Sequence, residues 1–192
     1  MKKLIATILA LLLCGVALAE GDGFALENGV AWGMGQGDVL ALEGSADVDY
    51  ETMGLANVLD VDDAAYRGFE ADAKYLFRNG ALAAVLYELD AGDVNADALA
   101  AALDGEYGGR GACDASRLGD LMSALTGQSR ALNAERAGDF YFDWIGPADT
   151  CVALTNRFSD DGDDLYVCFF DQAAIAALAE AGLGEPAPAL GD

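Results

Sequence analysis

The sequence predicts an α+β fold made of two tandem units, each with short helices followed by an antiparallel β-meander, the helices packed on one face of the sheet. Three observations support this prediction. Apolar and polar residues alternate before Asn79-Gly80, as in a half-buried strand. Apolar residues from Leu118 to Leu125 recur at helical spacing. The order of short helix, connection and aromatic strand occurs twice along the chain, in residues 20–91 and again in residues 92–182.

Residues 1–19 have the pattern of a secretory signal peptide. Lys2 and Lys3 give a positive start, and residues 4–16 form an uncharged apolar run. The small residues of Ala17-Leu18-Ala19 stand where a signal peptidase reads the chain. We therefore expect cleavage to leave Glu20 as the first residue, and a secreted or cell-envelope protein as the product.

Cys14 leaves a lipoprotein open as the alternative, because lipoproteins are cleaved just before a cysteine that then carries lipid. That cleavage needs a small residue before the cysteine, and Leu13 occupies this position. The apolar run is also shorter than the roughly 20 residues that a bilayer span requires. No transmembrane segment is predicted in the mature chain.

The charge of the chain is strongly negative. Its 33 acidic and 10 basic residues give a formal net charge of −23, and loss of Lys2 and Lys3 with the signal peptide would make it −25. Such a charge repels nucleic acid and anionic lipid, so neither is an expected partner. The partner class left open is a protein or a cell-envelope component. A hydrophobic fraction of 54% argues against disorder.

The absence of histidine from the sequence removes several classes of chemistry. Catalysis by Ser-His-Asp or Cys-His and most zinc sites need this residue. No catalytic residue and no cofactor are predicted, and the leading hypothesis is an exported, non-enzymatic binding or envelope-associated module. The alternative is a secreted hydrolase that uses carboxylates alone. With 33 acids, a suitably spaced pair arises by chance.

The first unit contains the most definite local signal, a hairpin at Asn79-Gly80. Both central residues of a type I′ turn need positive φ, which Asn and Gly adopt readily. A two-residue turn places Phe77 opposite Leu82 and Tyr75 opposite Ala84. The other predicted elements of this unit are a helix at 38–43, a partly irregular stretch at 45–65 with a helix or strand near 55–59, and strands at 71–78 and 81–89.

The second unit is predicted to begin with two helices. Asn95 can cap the first, and Asp114 can cap the second. The predicted elements are helices at 96–103 and after 114, strands at 139–144, 149–155 and 165–170, a helix at 172–181 and a loose tail at 183–192.

Three cysteines remain after the signal peptide: Cys113, Cys151 and Cys168. Counting equally from the centre of the turn before residue 165 places Cys151 beside Cys168 on neighbouring strands. Directly opposed residues of an antiparallel pair are close enough for a disulfide. We therefore expect a 151–168 bridge with Cys113 left single. A register slip of one residue is the alternative, and it would leave both thiols free.

Two further groups are candidate site residues. Asp160, Asp161 and Asp163 could hold Ca²⁺, but they lack the spacing of a helix-loop-helix calcium site, so a polar turn is the favoured interpretation. Trp32 and Trp144 could line a ligand-binding face, although aromatic residues of this kind more often belong to a core.

Several short motifs follow one another in a recognisable layout. They are Gly33-Met34, Asp38-Val39, Tyr75, Phe77, Asn79-Gly80 and Leu82 in the first unit, and residues 103–108, Trp144 and residues 149–154 in the second. The layout resembles the β-lactamase-inhibitor-protein-like fold and the SmpA/OmlA-type outer-membrane lipoproteins, and parts of it resemble uncharacterised secreted proteins of anaerobic Gram-positive bacteria. This resemblance implies a binding or assembly scaffold rather than an enzyme.

Overall fold

The computed structural model describes residues 23–44, 47–111, 115–128, 141–156, 158 and 163–181. These residues form an α+β fold of one seven-stranded sheet and four helices. The helices are α1 (Gln36–Glu43), α2 (Ala96–Tyr107), α3 (Ala115–Thr126) and α4 (Gln172–Glu180). The strands are β1 (Val48–Met53), β2 (Ala56–Tyr66), β3 (Phe69–Arg78), β4 (Ala81–Asp90), β5 (Tyr141–Ile145), β6 (Thr150–Thr155) and β7 (Asp164–Asp171).

The sheet is continuous and antiparallel throughout, in the order β1-β2-β3-β4-β7-β6-β5. The strands β1 to β4 pair in sequence order, and so do β5 to β7; the two groups join where β4 pairs with β7.

Side-chain caps define the starts of two helices. Asn95 accepts a hydrogen bond from the Ala98 amide at 2.9 Å, as predicted, and Asp171 accepts one from the Ala174 amide at 3.0 Å. Within the described ranges, no helix is long and apolar enough to cross a bilayer.

Both faces of the sheet carry a core, so the prediction of tandem units with helices on one face is wrong. On the first face, Val39 of α1 and Leu99 and Leu103 of α2 pack against the strands. On the second face, α3 and α4 pack through residues that include Met122 and Ile175. The physical reason lies in the central strands. β4, β6 and β7 bury apolar side chains at successive positions, as strands covered on both faces do.

The predicted hairpin at Asn79-Gly80 is confirmed. Asn79 has φ 53° and Gly80 has φ 81°, and Arg78 pairs with Ala81 across the turn. Phe77 lies opposite Leu82 as expected, but the predicted pairing of Tyr75 with Ala84 is wrong. A β-bulge after this pair shifts the register by one residue, so Tyr75 pairs with Val85 instead.

The stretch at 45–65 is more regular than predicted, because β1 and most of β2 lie within it. Alternation of apolar and polar residues does not identify β1, because its acidic residues and Tyr50 leave both sides of the strand largely exposed. β2 contains a bulge at which Asp62 and Asp63 together lie opposite Asp72. This bulge interrupts the alternation that identifies a strand from sequence.

Candidate functional site

The helices cover only part of the second face of the sheet. Toward the ends of β1–β4 and β7 that α3 and α4 leave open, this face carries acidic side chains in place of apolar ones. We call these residues the acidic patch. They are Asp49, Glu51, Asp60, Asp62, Asp72, Glu88, Asp90 and Asp164. Most of them are exposed, and Asp60, Glu88 and Asp164 are half-buried.

The strand register brings these carboxylates together from distant parts of the chain. Asp49 of β1 lies directly opposite Asp60 of β2, and Asp72 of β3 lies directly opposite Glu88 of β4. Like charges in directly opposed positions destabilise a sheet. The fold therefore carries an electrostatic cost at this surface, and a positively charged ligand would relieve it.

Lys74 lies among the acids of the patch and forms an ion pair with Asp60. Burial opposes the charge of Lys74, but the hydrogen bond to Asp60 and the nearby carboxylate of Glu51 outweigh this effect and raise its pKa. Lys74 therefore offsets the charge of one carboxylate of the patch, that of Asp60.

Two carboxyl groups of the patch have raised pKa values. Desolvation and then the carboxylate of Asp72 raise the pKa of Asp62. Burial raises the pKa of Glu88, and Asp164 acts in the same direction, against a hydrogen bond from Tyr166. Both shifts have the sign expected when desolvation, and then neighbouring negative charges, disfavour the ionised form of an acid.

Substituting Glu88→Gln is expected to raise the free energy of unfolding by about 0.5 kcal/mol at neutral pH, because it removes a charge that burial and the carboxylates of Asp164 and Asp72 disfavour. The folded-state pKa of Glu88 lies above its unfolded value, so its charge destabilises the fold above the folded pKa. That penalty disappears when the pH falls below the unfolded-state pKa of about 4.3. Thermal melts at neutral pH and below that pKa check the prediction.

The control for this prediction is Glu180→Gln, which neutralises an exposed acid at the last residue of α4. We expect it to leave the melting temperature nearly unchanged at either pH. A Glu88→Gln variant that is less stable than the wild type at neutral pH would show that attraction to Lys74 outweighs the repulsion.

The carboxylates of the patch do not converge on a metal. In the described part of the chain, no group of three or more His, Cys, Asp or Glu residues could hold a metal ion. Of the candidate calcium ligands, Asp160 and Asp161 lie outside the described residues. The carbonyl oxygen of Asp163 accepts a hydrogen bond from the Ala91 amide at 3.0 Å.

The two tryptophans lie on the first face, away from the acidic patch. Trp144 is 2% exposed, and its indole N–H donates to Asp104 Oδ1 at 2.9 Å. The hydrogen bond from Arg110 and then that from Trp144 lower the pKa of Asp104. Trp32 is half-buried and donates to Thr150 Oγ1 at 2.8 Å. Both side chains tie elements together, and Trp144 belongs to the core.

Cys151 and Cys168 are two buried, free thiols in the structure, so the expected bridge is not formed. They share the second face, as predicted, but the register is displaced by two residues. Cys151 pairs with Phe170 and Cys168 pairs with Ala153, which places the cysteines on a diagonal. Diagonal Cα atoms lie about 7–8 Å apart, beyond the usual reach of a disulfide. Cys113 lies outside the described residues.

A small recess on the first face bears on the hydrolase alternative. Its lining includes Tyr66, Tyr87 and Tyr107 together with the acids Glu27 and Glu106. Its volume of about 50 Å³ is far below the roughly 300–1,000 Å³ of typical ligand pockets. Glu106 is also bound to the guanidinium of Arg67. This recess is therefore too small to hold a typical substrate.

The acidic patch is the candidate site that sequence reasoning missed. Its signal was present in β2 and β3, where positions 60, 62 and 72 on the second face are all acidic.

Comparisons with protein-family models, with curated proteins and with solved structures give no match for this chain. The resemblance to the β-lactamase-inhibitor-protein-like fold therefore stays a prediction.

Proposed function

We propose that the protein is an exported, non-enzymatic binding module that uses the acidic patch to bind a positively charged partner protein. The observation that carries this proposal is the collection of carboxylates from five strands on the open part of one sheet face, with three pairs of them directly opposed. The signal peptide supports export, and it remains a prediction from sequence.

The spacing of the acids favours a partner with several separate charges over a single ion. Neighbouring strands lie about 4.8 Å apart, and alternate residues along a strand lie about 6.8 Å apart. Carboxylates on such a grid are too dispersed to share one ion, in agreement with the lack of a metal-binding group among the described residues. A grid of this kind suits the lysine and arginine side chains of a protein surface or segment.

The cost of holding the acids together also supports binding. A charged partner that neutralises the patch removes the repulsion between Asp72 and Glu88 and between Asp49 and Asp60. This release adds to the direct attraction. The field of the patch would also speed association, because clefts and faces of one sign concentrate ligands of the other.

The experiment is a titration of the purified protein into fluorescein-labelled oligolysine, with oligoglutamate as the comparison, followed by fluorescence anisotropy. We expect oligolysine alone to bind. Affinity should fall by about tenfold or more between 0.01 M and 0.15 M salt, since the Debye length shrinks from about 30 Å to about 8 Å. Absence of oligolysine binding at low salt would overturn the proposal.

A pair of matched variants locates the binding surface. One carries Asp49→Asn, Asp62→Asn and Asp72→Asn, all within the patch. The other carries Asp97→Asn, Asp120→Asn and Glu180→Gln, exposed acids on α2, α3 and α4. Both change the net charge equally. Only the first is expected to weaken oligolysine binding by about tenfold, and an equal loss in both would indicate attraction by net charge without a defined site.

A further inference from the structure

We infer that the partner binds by strand addition: an extended segment pairs with the outer edge of β1 and places basic side chains over the acidic patch. This inference rests on the proposed function and adds the mode of binding to it. An extended segment that joins a sheet edge gains affinity from main-chain hydrogen bonds and specificity from alternate side chains.

The two edges of the sheet differ in how they are covered. β5 forms one edge, and there the Gly111 amide donates to the Asp143 carbonyl at 3.0 Å, so a segment after α2 occupies part of that edge. β1 forms the other edge. Within the described ranges, β2 is the strand that pairs with β1, and no strand pairs with its outer side. Every second residue of such a strand directs its N–H and C=O away from the sheet.

The side chains of β1 define what an added strand should carry. Asp49 and Glu51 point to the second face, beside the rest of the acidic patch. Tyr50 points to the first face, opposite the buried Leu59, and is 65% exposed. A segment that alternates lysine or arginine with apolar residues would match both faces, because its basic side chains would meet the acids while its apolar side chains extend the cover over Tyr50.

Charge favours a basic extended segment over a second copy of the chain as the partner of the β1 edge. Pairing β1 with β1 of another copy would bring Asp49 and Glu51 of both chains together on one short edge. Acidic residues on an edge strand disfavour such self-pairing. The net charge of −23 adds long-range repulsion between copies. A basic extended segment has the opposite charge, so the same residues that prevent self-association favour it.

The experiment measures backbone amide exchange in β1 by NMR, with and without a peptide of alternating lysine and valine. A second peptide has the same residues and charge, but its backbone nitrogens are methylated, which blocks pairing. We expect the unmethylated peptide to slow exchange of every second amide in Val48–Met53 by at least about tenfold. We expect the methylated peptide to bind at least about tenfold more weakly.

The outcomes separate the inference from the proposed function. If both peptides bind equally, or if the first binds without protecting β1 amides, strand addition is overturned while the acidic patch remains a binding surface. If oligolysine binds at low salt but the unmethylated peptide does not, strand addition alone is overturned. If neither binds at low salt, the proposed function itself fails, and the inference fails with it.

Discussion

Substituting Arg117→Met is expected to destabilise the protein by about 3 kcal/mol, because it removes the guanidinium from a buried carboxylate. Arg117 Nη1 lies 2.8 Å from Asp143 Oδ2, and the Asp143 side chain is 5% exposed. The other end of the guanidinium donates to Gln172 Oε1 at 2.6 Å, so one side chain links α3, β5 and α4. Since Arg117 itself is 37% exposed, we expect the lower part of the usual range.

Urea unfolding of the variant checks this expectation, with Arg110→Met as the matched control. Arg110 forms an ion pair with Asp104 at 3.0 Å, but about a third of each side chain is exposed. Exposed pairs contribute about 1 kcal/mol or less. Adding Asp143→Leu to Arg117→Met should recover much of the lost stability, because no buried charge then remains. Equal effects of Arg117→Met and Arg110→Met would contradict the burial argument.

Substituting Gly54→Ala is expected to cost at least about 2 kcal/mol, because it combines a strained backbone conformation with a steric clash. Gly54 has φ +63°, and a Cβ atom there would lie 2.3 Å from the Thr126 carbonyl oxygen. That oxygen also accepts a hydrogen bond from the Leu55 amide at 2.7 Å. Relief of the clash must therefore move the β1–β2 turn away from the end of α3.

Gly44 provides a closely matched control for this substitution. It also has φ +63°, but a Cβ atom there would meet nothing within 4 Å. Gly44→Ala therefore measures the conformational cost alone, about 1 kcal/mol. Thermal or urea unfolding of both variants isolates the clash as their difference. If the two variants lose the same stability, the turn is not packed tightly against α3.

Local signals in the sequence were sufficient for some elements and insufficient for others. Asn79-Gly80 and Asn95 each act through the backbone of their immediate neighbours, so the hairpin and the start of α2 could be predicted. The bulge beside Phe77 depends on packing across the sheet, and it moved Tyr75 by one position. The side of the sheet on which a helix packs depends on long-range contacts. The stripe at Leu118 identified a helix but not the face it covers.

The candidate site was harder to predict than the fold. Each acid of the patch is one of 33 in the chain, so none stands out individually. Only the strand register places Asp49 beside Asp60 and Asp72 beside Glu88. The cysteines show the same limitation, since a displacement of two residues kept both thiols on one face but separated them. A property that depends on which residues pair across strands can be predicted only when that pairing is known.

The central pairing of β4 with β7 has a consequence for how the chain folds. β1–β4 can form by successive short hairpins, whereas β7 pairs with β4 across the two helices and two strands that separate them in the sequence. Contacts between residues so far apart in sequence slow folding. Until β7 docks, β4 is an apolar edge strand and offers a template for pairing with other chains. Aggregation during refolding should therefore begin at the middle of the final sheet, and dilution or rapid docking of β7 should limit it.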